Sequence, residues 1–150
     1  MKTFLLLLAL PLAAQTASEL EPHNVTVSAV EYQGRSGVRL LAPPGAANGA
    51  SYAVMRGSRF HNGVVEVDVA GKPAEGAGAG ARGFIGVAFR LKDGKYEYIY
   101  LRPTNGRAED QVRRNHSTQY SSHPDYDFAR MHQESPEKYE SYVDLEPGVW

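Results

Sequence analysis

The stretch FIGVAFRLKDGKYEYIYLR, residues 84–102, carries the strongest local signal in the chain. Two runs rich in β-branched and aromatic side chains, Phe84 to Leu91 and Tyr96 to Arg102, flank Lys92-Asp93-Gly94-Lys95. Such side chains favour strands, and Asp-Gly at a two-residue tip suits the left-handed backbone of a type I′ turn. The spacing therefore predicts an antiparallel hairpin. Turn length sets register, so Arg90 is expected opposite Glu97, Phe89 opposite Tyr98, Ala88 opposite Ile99 and Val87 opposite Tyr100. One face then carries Ile85, Val87, Phe89, Leu91, Tyr96, Tyr98 and Tyr100, and its apolar volume assigns it to the core between two sheets. The other carries Gly86, Ala88, Arg90, Glu97, Ile99 and Leu101. Small residues at its centre and a charge pair at its end give it the shape of an open, concave face.

Toward the N-terminus the punctuation stays that of short strands and tight turns. Residues 25–30 (VTVSAV) alternate as a half-buried strand does, residues 33–37 (QGRSG) read as a turn into a strand at 38–41, and residues 51–55 form another strand. The clearest alternation places Val65, Val67 and Val69 on one face of a strand and Val64, Glu66 and Asp68 on the other. Residues 71–80 (GKPAEGAGAG) read as a loop. Beyond Pro103, residues 104–140 are polar, aromatic and poor in aliphatics, which predicts a long excursion over the sheet with a helical turn near Phe128 to Glu134. Residues 147–150 (PGVW) look like a turn entering a further strand.

The whole is expected to be one all-β domain, a two-sheet antiparallel sandwich over residues 18–150. It offers about seven strand candidates, so additional C-terminal strands are expected to complete it. Residues 1–17 follow the plan of a secretory signal peptide: Lys2, then an apolar run from Phe4 to Leu12, then small residues through Ala17. That run is about half the ~20 residues a spanning helix needs, so a mature protein without a membrane span, secreted or periplasmic, is expected. There is no Cys, so an exported domain of this sequence holds together without disulfides. A formal net charge of -1 argues against nucleic acid or an anionic membrane as a partner, and Arg113-Arg114 is too short a basic patch to change that.

Three segments together resemble a known family. FHNGVVEVDV at 60–69, GFIGVAFR at 83–90 and YEYIYLRP at 96–103 are similar to the concanavalin A-like, laminin-G-like jelly rolls. The nearest likeness is to bacterial exported domains grouped with family-16-type glycoside hydrolases or 3-keto-disaccharide hydrolase-like proteins. NHSTQY at 115–120, SHPDY at 122–126 and the closing PGVW fit the same group. The resemblance implies a two-sheet jelly roll whose concave face handles glycans, without implying one activity, since the fold hosts enzymes and lectins. It also implies further strands after the Pro-Gly-x-Trp turn. One departure bears on chemistry. The glucanases carry three acidic residues on one strand face; Glu66 and Asp68 match two of them, but Ala70 and Gly71 follow. Double displacement needs two carboxyls about 5 Å apart, so that motif is not intact.

The candidate catalytic groups are Glu97, Glu66 and Asp68, set against solvated strand residues for the last two and a cross-strand ion pair with Arg90 for Glu97. Arg90, Glu97, Asn105, Gln119, Tyr120 and His123 are the candidate carbohydrate-binding residues, with Tyr126 and Tyr139 of the same chemical type. Aromatic faces stack on sugar C–H surfaces while amides and guanidinium groups bond hydroxyls. His116, His123 and His132 invite a metal, but their spacing says nothing about convergence, and loop-bracing histidines with no metal site are favoured. No cofactor is expected; Asp125, Asp127 and Glu109-Asp110 leave a structural calcium open. No Gly-x-Ser-x-Gly elbow supports hydrolase chemistry of the serine type. The leading expectation is a glycan-binding or accessory module. The alternatives are a glycoside-active hydrolase using the open-face carboxylates and a laminin-G-like module for a protein partner.

Overall fold

The computed structural model describes residues 16–46 and 50–150. Apart from Thr16 and Ala17, the targeting segment expected over residues 1–17 lies outside the described residues. The chain divides after Arg59 into two compact units, each taken by itself.

In the first unit a short 3₁₀ turn, Ala17–Glu19, leads into β1 (Leu20–His23). β1 pairs antiparallel with β4 (Tyr52–Met55), and the His23 and Tyr52 rings, directly opposite, stack at 4.8 Å. β2 (Thr26–Tyr32) and β3 (Arg35–Leu41) form a hairpin. Its turn is only Gln33-Gly34, both at positive φ, 51° and 76°, the signature of type I′. The turn expected over 33–37 is thus shorter, and Arg35 to Gly37 already belong to the strand. β1 went unseen in the sequence because Leu20, Glu21, Pro22 and His23 offer no apolar alternation.

The second unit is organised by one antiparallel sheet in the order β5-β6-β7-β8. β5 spans Ile85–Lys92, β6 Lys95–Leu101, β7 Thr118–His123 and β8 Glu140–Ser141. Three short helices accompany it: α1 (Pro103–Gly106), α2 (Gln111–Asn115) and α3 (Phe128–Glu134). α2 and α3 start on N-caps, the Asp110 carboxylate accepting from the Val112 and Arg113 N–H groups and the Asp127 carboxylate from the Arg130 N–H, so these two acids are engaged in capping. Strands predominate over helices and every pairing is antiparallel. The chain is all-β in that sense, and its sheets are small.

The expected hairpin forms, with Asp93 and Gly94 at positive φ (52° and 74°) and Lys92 opposite Lys95. Its register differs by one residue from the expected one. Between Lys92 and Phe89 the ladder carries a bulge, and Arg90 adopts φ 57°. The extra residue brings Phe89, rather than Arg90, opposite Glu97; Ala88 faces Tyr98, Val87 faces Ile99 and Gly86 faces Tyr100. A one-residue slip exchanges faces, so the expected partition of side chains is corrected. An aliphatic face carries Ile85, Val87, Phe89, Glu97, Ile99 and Leu101, continued by Thr118, Tyr120 and Ser122 of β7. A tyrosine face carries Gly86, Ala88, Tyr96, Tyr98 and Tyr100, continued by Gln119, Ser121 and His123.

The tyrosine face is the more deeply buried of the two across β6 and β7. Tyr96, Tyr100, Gln119 and Ser121 are buried there, whereas Ile99 on the aliphatic face is half exposed. Rings run along it in sequence: Phe84 edge-on to Tyr100 at 5.3 Å, Tyr100 stacked on Tyr98 at 5.3 Å, and Tyr96 stacked on His123 at 4.9 Å. Arg102 is buried among them. Its Nη2 donates to Tyr100 Oη at 2.8 Å, and its guanidinium sits 4.2 Å from the Phe128 ring centroid, so aromatic faces and a hydroxyl replace its water. Gly86 does not open a space, as its small size had suggested. A Cβ at that position would lie 2.1 Å from the Ile99 carbonyl oxygen and 2.6 Å from Tyr100 Cα.

Two further expectations are corrected. Residues 60–84 join no sheet, and Val64, Val65 and Val67 are exposed; their alternation is that of a strand, but no neighbouring strand supplies the ladder. The polar excursion over 104–140 contains β7, which pairs along β6 from Tyr96↔His123 to Leu101↔Thr118. The helical turn inside that excursion is α3, at its expected bounds of Phe128–Glu134.

Candidate functional site

The candidate site grows from the bulge. Arg90 is displaced from the ladder by its left-handed backbone, yet its Nη1 still reaches Glu97 Oε1 at 2.9 Å. Glu97 lies in the middle strand opposite Ser122, with Tyr120 two residues away on the same side of β7. Tyr120 Oη donates to Glu97 Oε2 at 2.8 Å, so both carboxylate oxygens carry one ordered donor. These two bonds, Arg90 first and Tyr120 second, hold the Glu97 carboxyl below the usual carboxylate range, against the opposing effect of desolvation. Burial first, then the bond to Glu97, raises the Tyr120 phenol above its ordinary value. Near neutral pH the pair is therefore a carboxylate and a protonated phenol. Arg90 is raised in turn, chiefly by its bond to Glu97.

Beside this network lies an open depression of about 570 Å³, lined by Tyr120, Ser122, Asp125, Tyr126, Met131 and Tyr139. Tyr120 and Tyr139 rings stand 5.7 Å apart, and the Tyr120 N–H donates to the Tyr139 carbonyl at 2.9 Å. On the opposite rim Tyr126 Oη donates to Glu134, which also accepts from Arg130 Nε at 2.8 Å. The Arg130 guanidinium lies 4.3 Å from the Tyr126 centroid. Aromatic walls with acids and guanidinium groups at the edge can stack an apolar face and bond hydroxyl groups at its rim.

Of the residues expected to bind carbohydrate, Arg90, Glu97 and Tyr120 come together. Gln119 and His123 belong to the other face of the sheet, because period-two alternation along β7 separates them from Tyr120. Gln119 is buried with its Nε2 donating to the Tyr120 carbonyl at 2.8 Å, and His123 stacks on Tyr96. Asn105 is buried in α1, accepting from Arg113 Nε at 2.9 Å and donating to the His116 carbonyl at 3.0 Å. The candidate catalytic partners Glu66 and Asp68 are exposed in the 60–84 segment, outside the sheet that carries Glu97.

Tyr126 and Tyr139 were legible as sugar-type side chains, whereas Ser122 and Met131 were not. Ser122 follows once β7 is recognised as a strand, since it alternates with Tyr120; Met131 on α3 carried no chemical signal. Of the calcium candidates, Asp110 and Asp127 cap helices, and Asp125 lies 3.9 Å from Lys95 Nζ at the rim of the depression. Neither a scan of the chain against protein-family models nor searches of curated proteins and of solved structures return a match.

Proposed function

We propose that the second unit is a carbohydrate-binding surface of an exported protein, with the Arg90–Glu97–Tyr120 network and the adjoining depression as the place where a sugar sits. The observation that carries the reading is the Glu97 carboxylate, held ionised and oriented beside the Tyr120–Tyr139 pair. A sugar offers alternating C–H faces and hydroxyl donors. Tyr120 and Tyr139 supply the stacking wall, while Glu97 and Arg90 supply an acceptor and a donor at fixed positions. Ser122 and Asp125 add hydroxyl and carboxylate groups at the floor and rim.

The charge state of Glu97 speaks against one hydrolytic role, that of general acid. A general acid needs a carboxyl raised toward neutrality, whereas both donors on Glu97 push the other way. A glycan array probed with the whole protein, and with Tyr120→Ala and Glu97→Gln, tests the reading. Binding to a defined set of glycans should fall by about tenfold or more in each variant, the scale of losing one hydrogen bond to a charged group. A folded wild type that holds no glycan, or variants that bind as well as it does, would overturn the proposal.

A further inference from the structure

On the tyrosine-face side of β7, across the sheet from Glu97 and Tyr120, three side chains from three elements converge. His116 follows α2, His132 lies in the last turn of α3, and Glu140 opens β8 opposite Gln119. One ligand atom from each lies within 4.8 Å of the others, and this is the one such group of three or more among the described residues. His132 Nδ1 is 2.9 Å from Glu140 Oε1, and His116 Nε2 is 3.4 Å from Glu140 Oε2.

We propose that His116, His132 and Glu140 form a binding site for a divalent transition-metal ion of the zinc type. The carboxylate is the reason to go beyond a chance cluster. The Glu140 side chain is only 5% exposed, yet its Oε2 has no hydrogen-bond partner, because the His116 contact at 3.4 Å lacks hydrogen-bond geometry. An anionic oxygen buried without a donor is costly, and a cation between it and two imidazoles removes that cost. Two neutral imidazoles and one carboxylate are the donor set that suits zinc and its neighbours rather than calcium.

Geometry permits it with small side-chain adjustment. Tetrahedral ligands about 2 Å from zinc stand roughly 3.4 Å from one another, close to the Glu140–histidine distances. Drawing the farthest pair in takes rotations of order one ångström. The surroundings hold the ligands in place. Phe128 stacks on His132 at 5.4 Å and meets His116 edge-on at 5.8 Å, while the His116 carbonyl accepts from Asn105 Nδ2. His132, 46% exposed, leaves the site open on one side for entry of the ion and for a water or small-molecule fourth ligand. The site shares none of its three ligands with the Arg90–Glu97–Tyr120 network, so failure of either proposal leaves the other standing.

The test uses the whole chain, stripped with a chelator and titrated with zinc by calorimetry, then with cobalt as a spectroscopic stand-in. One zinc per chain is expected, with a rise in thermal midpoint and a visible cobalt spectrum of low coordination number. Affinity should fall as the solution is made more acidic, because protons compete with the metal for its ligands. His132→Ala removes an exposed ligand and Glu140→Gln keeps the shape of the carboxylate. Each should weaken zinc by at least about a hundredfold, since loss of a supporting residue alone costs up to that, while His61→Ala should change nothing. Wild type that takes up no zinc, or zinc and cobalt signals that survive both ligand variants, would overturn the site. The cobalt spectrum of the wild type decides the matter even where a variant fails to fold.

Discussion

Tyr120 and Glu97 are joined by one hydrogen bond whose removal leaves both side chains in place, which makes Tyr120→Phe a clean probe. Arg90 is the larger of the two influences that hold the Glu97 carboxyl down, and Tyr120 the second. A carboxyl titration followed by NMR should therefore show Glu97 moving up in Tyr120→Phe while staying below the ordinary carboxylate value. It should move up further when Arg90 is replaced. An unshifted Glu97 in both variants would mean that neither donor engages it in solution. A second residue-scale outcome concerns Gly86, where a Cβ would press on the Ile99 carbonyl and on Tyr100 backbone and Cβ atoms. Backbone cannot swing aside as a flexible side chain can. Gly86→Ala should cost about 1–3 kcal/mol in chemical denaturation, the usual range for overpacking.

At the scale of elements, the bulge is the device that aims Arg90. Its φ of 57° is tolerated by any L residue only at a cost that glycine avoids. Arg90→Gly should thus leave the hairpin at least as well formed, by amide shifts and cross-strand contacts, while the Glu97 titration moves up and glycan binding falls. Separation of those readouts would assign the Arg90 side chain to the site rather than to the turn. α3 presents the complementary case. Asp127 caps it by accepting from the Arg130 N–H at 2.9 Å, and Asp127→Ala should cost about 1 kcal/mol. Because α3 also carries His132, that variant should weaken zinc less than His132→Ala does, through position alone.

Across the whole molecule, depressed carboxyls set the response to acid. Glu97, Glu134 and Asp144 are all lowered, each led by a side-chain hydrogen bond: from Arg90, from Tyr126 and from Arg107 respectively. A carboxyl that titrates lower when folded takes up its proton first in the unfolded chain, so stability is present above the ordinary carboxylate pKa and is lost as pH falls through the folded one. The denaturation midpoint should stay level from neutrality to about pH 5 and decline below about pH 4. The decline should be shallower in Glu97→Gln, and 1 M salt should weaken the part of it that comes from the Arg107–Asp144 and Arg130–Glu134 ion pairs, which are largely exposed. Hydrogen exchange gives the other global reading. β6 is paired on both sides and should be the slowest-exchanging segment of the second unit, whereas residues 60–70, outside any ladder, should exchange fastest.

Sequence by itself determined the elements whose physics is local. Asp93-Gly94 needed positive φ at two positions, so one hairpin followed from the residues at its tip, while residues 33–37 announced a turn but not the two-residue tip Gln33-Gly34 that closes the β2–β3 hairpin. The capped turn at Phe128 to Glu134 followed similarly from local pattern. Arg90, Glu97 and Tyr120 could be named as candidates from their side-chain chemistry, a guanidinium, a carboxylate and an aromatic hydroxyl of the kind that bonds or stacks on sugars. Tertiary structure decided what depends on partners far along the chain. β7 alternates in burial, but its buried positions are Gln119 and Ser121 rather than aliphatics, so no hydrophobic period announced it. Only Tyr98 and Tyr100 packing across from Ser121 and Gln119 makes those polar residues core. The alternating valines of 65–69 show the converse, a strand pattern with no ladder to join. A single bulge residue then chose which face each side chain of the hairpin occupies, and the meeting of His116, His132 and Glu140 arose from three elements whose spacing in sequence carries no distance.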